Sequence, residues 1–231
     1  MTGATRPQGV TLIIPALNEA ESIGPLLAEL PVGLVDEVIV VDNGSTDDTA
    51  GAARRAGAIV ASEPRRGYGY ACAAGVAAAR GEWLVFMDGD GSFVPGEAAR
   101  LLAPLCSGGG DLVLGTRMAG GMTPGSMPPH QLFGNRLVAR LVNLLYRQQV
   151  TDLGPFRAIS AGLLAELAMQ ERTYGWPIEM MVKAARRRYR LVEVPVTYRP
   201  RLAGESKVGG TVRGSLLATQ RILQTVFRYV W

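Results

Sequence analysis

Gly81-Glu82-Trp83-Leu84-Val85-Phe86-Met87-Asp88-Gly89-Asp90 is the stretch whose reading decides the fold. A short apolar run bounded by glycine and acidic residues reads as a buried strand, here over Glu82–Met87. Asp88 and Asp90 then stand one residue apart just past its carboxyl end. Two carboxylates at a sheet edge can share one hard divalent cation, Mg²⁺ or Mn²⁺. Both ions take oxygen ligands and keep waters and substrate phosphates in their shells. An Asp-x-Asp after a strand is also an ordinary solvated turn, so its meaning depends on what else reaches the same edge.

Outward from this run, strands alternate with helices. Val10–Ile14, Asp36–Val41, Ala58–Ala61 and Asp111–Gly115 read as further strands. Helices are expected after Asn18 (with Glu21 completing a capping box), after Ser45, over Gly67–Arg80 and over Pro95–Leu105. This order predicts an α/β protein, a Rossmann-like α/β/α sandwich around a mostly parallel central sheet. Ligands bind such sheets beyond the carboxyl ends of the strands. Pro15–Glu19, Asp42, Asp88, Asp90, Thr116 and Arg117 all fall there. Gly67 and Gly69 open a helix where backbone N–H groups favour anions. The third glycine of a dinucleotide fingerprint is replaced by Cys72, which argues against an oxidoreductase.

The second half is less regular. Met118–Pro129 is rich in Gly, Pro and Met and reads as a loop. Helices are expected over Leu132–Tyr146, Ser160–Met169 and Pro177–Arg188, a strand over Leu191–Tyr198, and a helix over Thr211–Trp231. No linker marks a second domain, so the 231 residues read as one unit. Its first half, to about 117, carries the strand-end loops. Residues from about 118 to 210 form a second half, and an amphipathic helix closes the chain.

The composition, 48% hydrophobic and 19% charged, is that of a globular protein. Cys72 and Cys106 lie in apolar helical patterns and read as buried thiols in a reducing compartment. No signal segment or spanning run is visible, so a cytoplasmic protein is expected. Between Lys183 and Arg213, nine basic residues face Glu193 and Glu205, a local balance of +7 against +4 for the whole chain. Such an excess attracts phosphates or an anionic surface. Nucleic acid is disfavoured, because interleaved aromatics are lacking and aromatic residues are only 6% of the chain.

Pro15-Ala16-Leu17-Asn18-Glu19, Val41-Asp42-Asn43-Gly44-Ser45-Thr46-Asp47 and Asp88-Gly89-Asp90 together resemble the opening, nucleobase-binding and metal-binding motifs of family-2 glycosyltransferases of the GT-A fold. Gly115-Thr116-Arg117, Gly154-Pro155-Phe156-Arg157, Glu179 within Trp176–Met180, and Arg201-Leu202-Ala203-Gly204-Glu205-Ser206-Lys207 are similar to the polyprenyl-phosphate branch, typified by dolichol-phosphate mannosyltransferases. The resemblance covers nearly the whole chain.

It implies a hexose transfer from a nucleoside-diphosphate sugar, UDP-glucose or GDP-mannose, to a polyprenyl phosphate with inversion. Asp88 and Asp90 would hold Mg²⁺ or Mn²⁺. Pro15, Ala16, Asn18, Glu19, Asp42, Gly67, Asp88, Gly89 and Arg201 would line the donor site, and Asp90, Arg117 and Lys207 would act on the reacting groups. Asp42 is suited to accept a nucleobase N–H, although a turn-initiating Asx residue is the competing reading. Arg117 is suited to bidentate phosphate binding. Lys207 stands out because Lys183 is the only other lysine among 24 basic residues. Two departures matter. Asn43 stands where the family usually has a second Asp, and Ser92 where many members carry a metal-binding Gln.

A phosphate acceptor is already an anion at neutral pH and needs no general base. Asp152 and Glu179 are therefore read as buried partners of Arg117 or Arg157. In the last helix, Arg213, Gln220, Arg221, Gln224 and Arg228 fall on one side and Val212, Leu216, Leu223, Phe227 and Val230 on the other. Such a helix lies on an anionic membrane face or packs on the protein. Met118, Met122 and Met127 would add an adaptable apolar surface. The competing readings are the same donor chemistry on a soluble phosphorylated acceptor, and a non-catalytic nucleotide-binding module.

Overall fold

The computed structural model describes residues 9–204 and 212–230, with the side chains of 9–204 and 219–230. Among these residues one sheet holds β1 (Val10–Ala16), β2 (Glu37–Asp42), β3 (Ile59–Ser62), β4 (Trp83–Phe86), β5 (Leu112–Thr116), β6 (Arg157–Ser160) and β7 (Leu191–Pro195). Its order is β3-β2-β1-β4-β6-β5-β7. The helices are α1 (Ala20–Ala28), α2 (Thr49–Arg55), α3 (Tyr68–Ala78), α4 (Ala98–Cys106), α5 (Pro129–Tyr146), α6 (Ala161–Leu167), α7 (Trp176–Arg186) and α8 (Val212–Arg228). The mostly parallel α/β architecture is as expected.

The period-2 alternation of side chains separates two cores. Ile13, Ile39, Val41, Leu84, Phe86, Leu112 and Leu114 pack beneath α3, α5, α6, α7 and α8. Leu12, Ile14, Val40, Val85, Met87 and Val113 pack beneath α1 and α4. Strands covered on both faces must be apolar throughout, which is why β1 and β4 read as continuous runs.

One strand departs from the sequence expectation: residues 157–159 fall in no expected element and Ser160 is expected to open a helix, yet Arg157–Ser160 forms β6, which pairs antiparallel with both β4 and β5, and α6 begins only at Ala161. The four residues of β6 begin with a buried arginine, which hides the apolar signal. Two capping expectations also change. Asn18 adopts a left-handed backbone (φ 54°) and α1 is capped at Glu19, while α2 starts at Thr49 behind Asp48. Cys72 is buried as expected, but Cys106 is exposed. Among the described residues, no helix is long and apolar enough to cross a membrane.

Candidate active site

The sheet register brings the motif loops together. Ala16 pairs with Asp42 at the ends of β1 and β2, and Ile13 pairs with Phe86 of β4, two residues before Asp88. Because β6 runs the opposite way, its first residue, Arg157, pairs with Phe86 and Leu114 and enters the same edge. Convergence at the carboxyl ends of parallel strands thus carries Glu19, Asp42, Asp88, Asp90 and Arg117 to one place.

The first two motif loops clasp each other. Thr46 N–H donates to Asn18 Oδ1 at 2.8 Å, and Asn18 N–H donates to Ser45 Oγ at 3.0 Å. Glu19 N–H donates to Thr49 Oγ1 (2.9 Å), and Ala20 N–H to Asp47 Oδ2 (3.1 Å). The start of α1 is therefore satisfied from the neighbouring loop and not by its own side chain. Asp42 Oδ1 accepts the N–H of Ser45, three residues on, at 2.9 Å, so its carboxylate braces its own turn. Asn43, which the sequence reading leaves without a role, is buried and ties the end of β2 to residues 63–67 by three hydrogen bonds. Its Nδ2 donates to Glu63 O and Arg65 O at 2.9 and 2.8 Å, and its Oδ1 accepts Gly67 N–H at 2.9 Å.

Gly67 (φ 151°) and Gly69 sit at the start of α3 against another chain segment. A Cβ on Gly67 would lie 2.4 Å from Arg172 O, and one on Gly69 would lie 2.5 Å from Glu171 O. Tyr70 N–H donates to the same Arg172 carbonyl at 3.0 Å. The close backbone approach that these glycines allow is to residues 171–172.

Asp88, Asp90, Glu19 and Arg201 form the charged centre. Burial, then the neighbouring Asp90 charge, push the Asp88 carboxyl up to about 7 against the pull of Arg117 and the Tyr68 hydroxyl. Burial also raises Glu19, which Arg201 pulls down. Arg201 Nη2 pairs with Glu19 Oε1 at 2.6 Å, and its Nη1 lies 3.9 Å from Asp90 Oδ2. Ser92 N–H donates to Asp90 Oδ1 at 2.9 Å. Glu19 Oε2 and Ser92 Oγ are buried with no hydrogen-bond partner.

Arg117 is fixed from two sides. Its backbone N–H, Nε and Nη2 donate to Asp152 at 2.7, 2.8 and 2.7 Å, and its guanidinium stacks 5.0 Å from the Tyr198 ring centroid. Burial opposes the charges of this pair, but the mutual hydrogen bonds hold Asp152 below the usual carboxylate range and Arg117 above its own. The expected partner role of Asp152 is seen. Glu179 is different: it meets neither Arg117 nor Arg157. Its carboxylate takes Lys183 Nζ at 2.7 Å, Tyr229 Oη at 2.7 Å, and the N–H groups of Gln170 and Glu171. Arg157 instead donates to the carbonyls of Pro177, Leu153 and Gly154, and burial lowers its pKa to about 10. Lys207 lies outside the described residues.

A hard divalent cation fits this edge. The Asp88 and Asp90 oxygens are the right ligand type, and the raised Asp88 carboxyl marks negative charge without a full partner. Glu19 Oε2 and Ser92 Oγ add unused buried oxygens nearby. Among the described residues no group of three or more His, Cys, Asp or Glu forms a metal cage.

On the apolar side, α5 exposes Phe133, Leu137 and Leu144, with Arg136, Arg140 and Arg147 also exposed along and just beyond the helix. In α8, Phe227 is exposed and Thr225 and Val226 are buried, so the inward stripe is rotated from the expected one. Met127 is buried and not part of an open surface.

Residues 11–168 match the model for Glycosyl transferase family 2. The chain is 41% identical over 210 residues to an uncharacterized glycosyltransferase of Mycobacterium tuberculosis, covering 90% of this chain and 94% of the relative. It is 34% identical over 212 residues to a dolichyl-phosphate hexose transferase of Haloferax volcanii, covering 90% of each. Glucosyl-3-phosphoglycerate synthase from Mycobacterium tuberculosis, solved with Mn²⁺, UDP and glucosyl-3-phosphoglycerate, superposes with a TM-score of 0.79 at 26% identity. The match covers 96% of this chain and 80% of that one.

Proposed function

The chain belongs to glycosyl transferase family 2 with the GT-A α/β fold, and from that premise we propose that it moves a hexose from a nucleoside-diphosphate sugar to a polyprenyl phosphate. In this reading Asp88 and Asp90 would hold Mg²⁺ or Mn²⁺, and Asp42 would receive the nucleobase. A divalent ion bound there supplies Lewis-acid neutralisation of the departing diphosphate. Arg117, oriented by Asp152 and Tyr198, offers its remaining N–H groups to a phosphate. The acceptor phosphate oxygen attacks the anomeric carbon from the face opposite the diphosphate. One C–O bond forms as the other breaks, the electron pair leaves on the diphosphate, and the configuration inverts. No residue need remove a proton. Arg201 and, by the resemblance of its motif, Lys207 would serve the phosphates.

The observation that carries the lipid reading is the exposed side of α5. Three large apolar side chains alternate with Arg136 and Arg140, and Arg147 follows at its end. A basic, apolar helix face of this kind suits an anionic membrane surface. The dolichyl-phosphate hexose transferase relative supports the same acceptor class. A peripheral place on the cytoplasmic membrane face follows from this reading.

The second reading keeps the donor and replaces the lipid with a soluble phosphorylated acceptor. It is favoured by the structural likeness to a glucosyl-3-phosphoglycerate synthase. Incubation of labelled UDP-glucose or GDP-mannose with polyprenyl phosphate or 3-phosphoglycerate, with Mn²⁺ or Mg²⁺, separates the two. Label extracted into organic solvent is the expected result. Label transferred only to the aqueous acceptor would establish the second reading instead.

A further inference from the structure

Resting on the reading that Asp88 and Asp90 hold a divalent cation, we propose that Arg201 is the built-in counter-ion of that site: its guanidinium spans Glu19 and Asp90, and it must turn away as metal and diphosphate enter. Three observations carry this.

The segment bearing Arg201 is fastened to the acidic loop by its backbone. Leu202 N–H donates to Asp90 O at 2.9 Å, and Arg199 N–H donates to Ser92 O at 3.0 Å. Arg199 Nε reaches Gly91 O at 2.7 Å, and its Nη2 pairs with Glu29 at 2.8 Å. Gly91 has no side chain where Leu202 presses; a Cβ there would stand 2.4 Å from Leu202 Cδ1. Residues 199–202 therefore stay with Asp90, and any exchange of partners belongs to the Arg201 side chain.

That side chain is held unequally. Nη2 makes a short ion pair with Glu19 and Nε donates to Ala203 O at 3.0 Å. At 3.9 Å, Nη1 is too far from Asp90 Oδ2 for a hydrogen bond and interacts by charge alone. Glu19 Oε2 is buried and unpaired, so the pair leaves this site with an unanswered oxygen.

A divalent cation on Asp90 would face a full positive charge about 4 Å from its ligand, and like charges at that range repel strongly in a partly dry site. The free protein should therefore bind the metal weakly. A nucleoside diphosphate changes both sides of this balance. It brings negative charge for the metal, and it gives the guanidinium bidentate phosphate partners in place of Glu19. Metal and nucleotide should then bind cooperatively, beyond their direct contacts, because each removes Arg201 from Asp90.

The test is titration of the purified full chain with MnCl₂, following free Mn²⁺ by electron paramagnetic resonance, with and without UDP or GDP. Arg201→Gln is expected to bind Mn²⁺ about tenfold or more tightly without nucleotide, the least that removing a unit charge at this distance should give. Arg201→Lys is expected to stay near the unsubstituted protein, and Arg201→Met to repeat the Gln result. With nucleotide present the order reverses, because Arg201→Gln has lost a phosphate ligand. Unchanged or weaker Mn²⁺ binding by folded Arg201→Gln in the absence of nucleotide overturns the proposal and leaves the metal reading intact. No Mn²⁺ binding by any form, even with either nucleotide, overturns both.

Discussion

Asp152 receives three N–H groups from one residue: the backbone, Nε and Nη2 of Arg117, all at 2.7 to 2.8 Å. Asp152 is fully buried, while its partner keeps a slender exposed edge at the site. The carboxylate thus fixes both where the strand β5 ends and which way its guanidinium points.

Removing that carboxylate leaves a buried cation without its partner. Asp152→Asn is expected to cost about 3 kcal/mol in urea unfolding, the usual penalty for breaking a buried pair. Transfer should fall by about a hundredfold or more as Arg117 loses its orientation. The double variant Arg117→Met/Asp152→Asn should be less destabilised than the sum of the two single changes. Strict additivity would mean the pair is not coupled.

Stability should depend on pH in two opposing ways. Asp152 and Glu179 are held below their ordinary values. Their contribution is complete above the unfolded carboxylate pKa, about 4, and is lost as pH falls through the depressed values. Asp88 is the reverse: raised to about 7, it keeps a proton in the fold that the unfolded chain releases near 4. Metal-free protein should therefore lose stability as pH rises from about 4 through 7. Melting temperatures from pH 4 to 9 in EDTA should peak in the acidic part of this range. Added Mn²⁺ should stabilise most at and above pH 7.

Glu179 joins α7 to α8 through Tyr229 and to the loop at Gln170 and Glu171. Tyr229→Phe removes one hydrogen bond to a charged group and should cost about 2 kcal/mol. Glu179→Gln also strips the partner of Lys183 and should cost more, about 3 kcal/mol. Hydrogen exchange should show the first protection loss in α8 and residues 169–175. Faster exchange confined to α1 or α2 would contradict this assignment.

On α5 and at its C-cap, replacing Arg136, Arg140 and Arg147 by Gln should weaken partition onto anionic vesicles by about a hundredfold, at about 1 kcal/mol for each charge. Phe133→Ser and Leu137→Ser should weaken it further. All five side chains are exposed, so thermal stability should change little. Unaltered partition in low salt would remove the main structural support for a lipid acceptor.

Much of the fold was legible because its signals are local. Short continuous apolar runs with bounding glycine, proline or acidic residues mark β1, β2, β4 and β5 without reference to anything distant. β6 escaped because it has only four residues and opens with Arg157, whose charge is answered by carbonyls of Leu153, Gly154 and Pro177. No local pattern announces that a buried arginine will find such partners. The role of Asn43 is illegible in the sequence for a similar reason. Its lost negative charge was visible, but its three hydrogen bonds to residues around 63–67 exist only after β2 and β3 pair.

The cap at Asn18 shows how a correct signal can carry the wrong role. Asn before a helix favours capping, and Asn also tolerates the left-handed region. Here the second property is used, and Asp47 of another loop satisfies the start of α1. Phe227 teaches the same lesson in α8. A helical wheel gives a stripe, but the neighbours α5 and α7 decide which residues face inward.

Strand β4 and its Asp88-Gly89-Asp90 turn, with the alternation of strands and helices from β1 to β5, were determined by the sequence alone. Apolar period, chain punctuation and turn chemistry act over a few residues. Which charges answer which was decided only by the tertiary structure: Asp152 with Arg117, Glu179 with Lys183 and Tyr229, and Arg201 with Glu19 beside Asp90. Glu19 and Arg201 lie 182 positions apart. A buried charge is stabilised by whatever opposite charge the folded backbone brings within a few ångströms, and sequence spacing sets no limit on that choice.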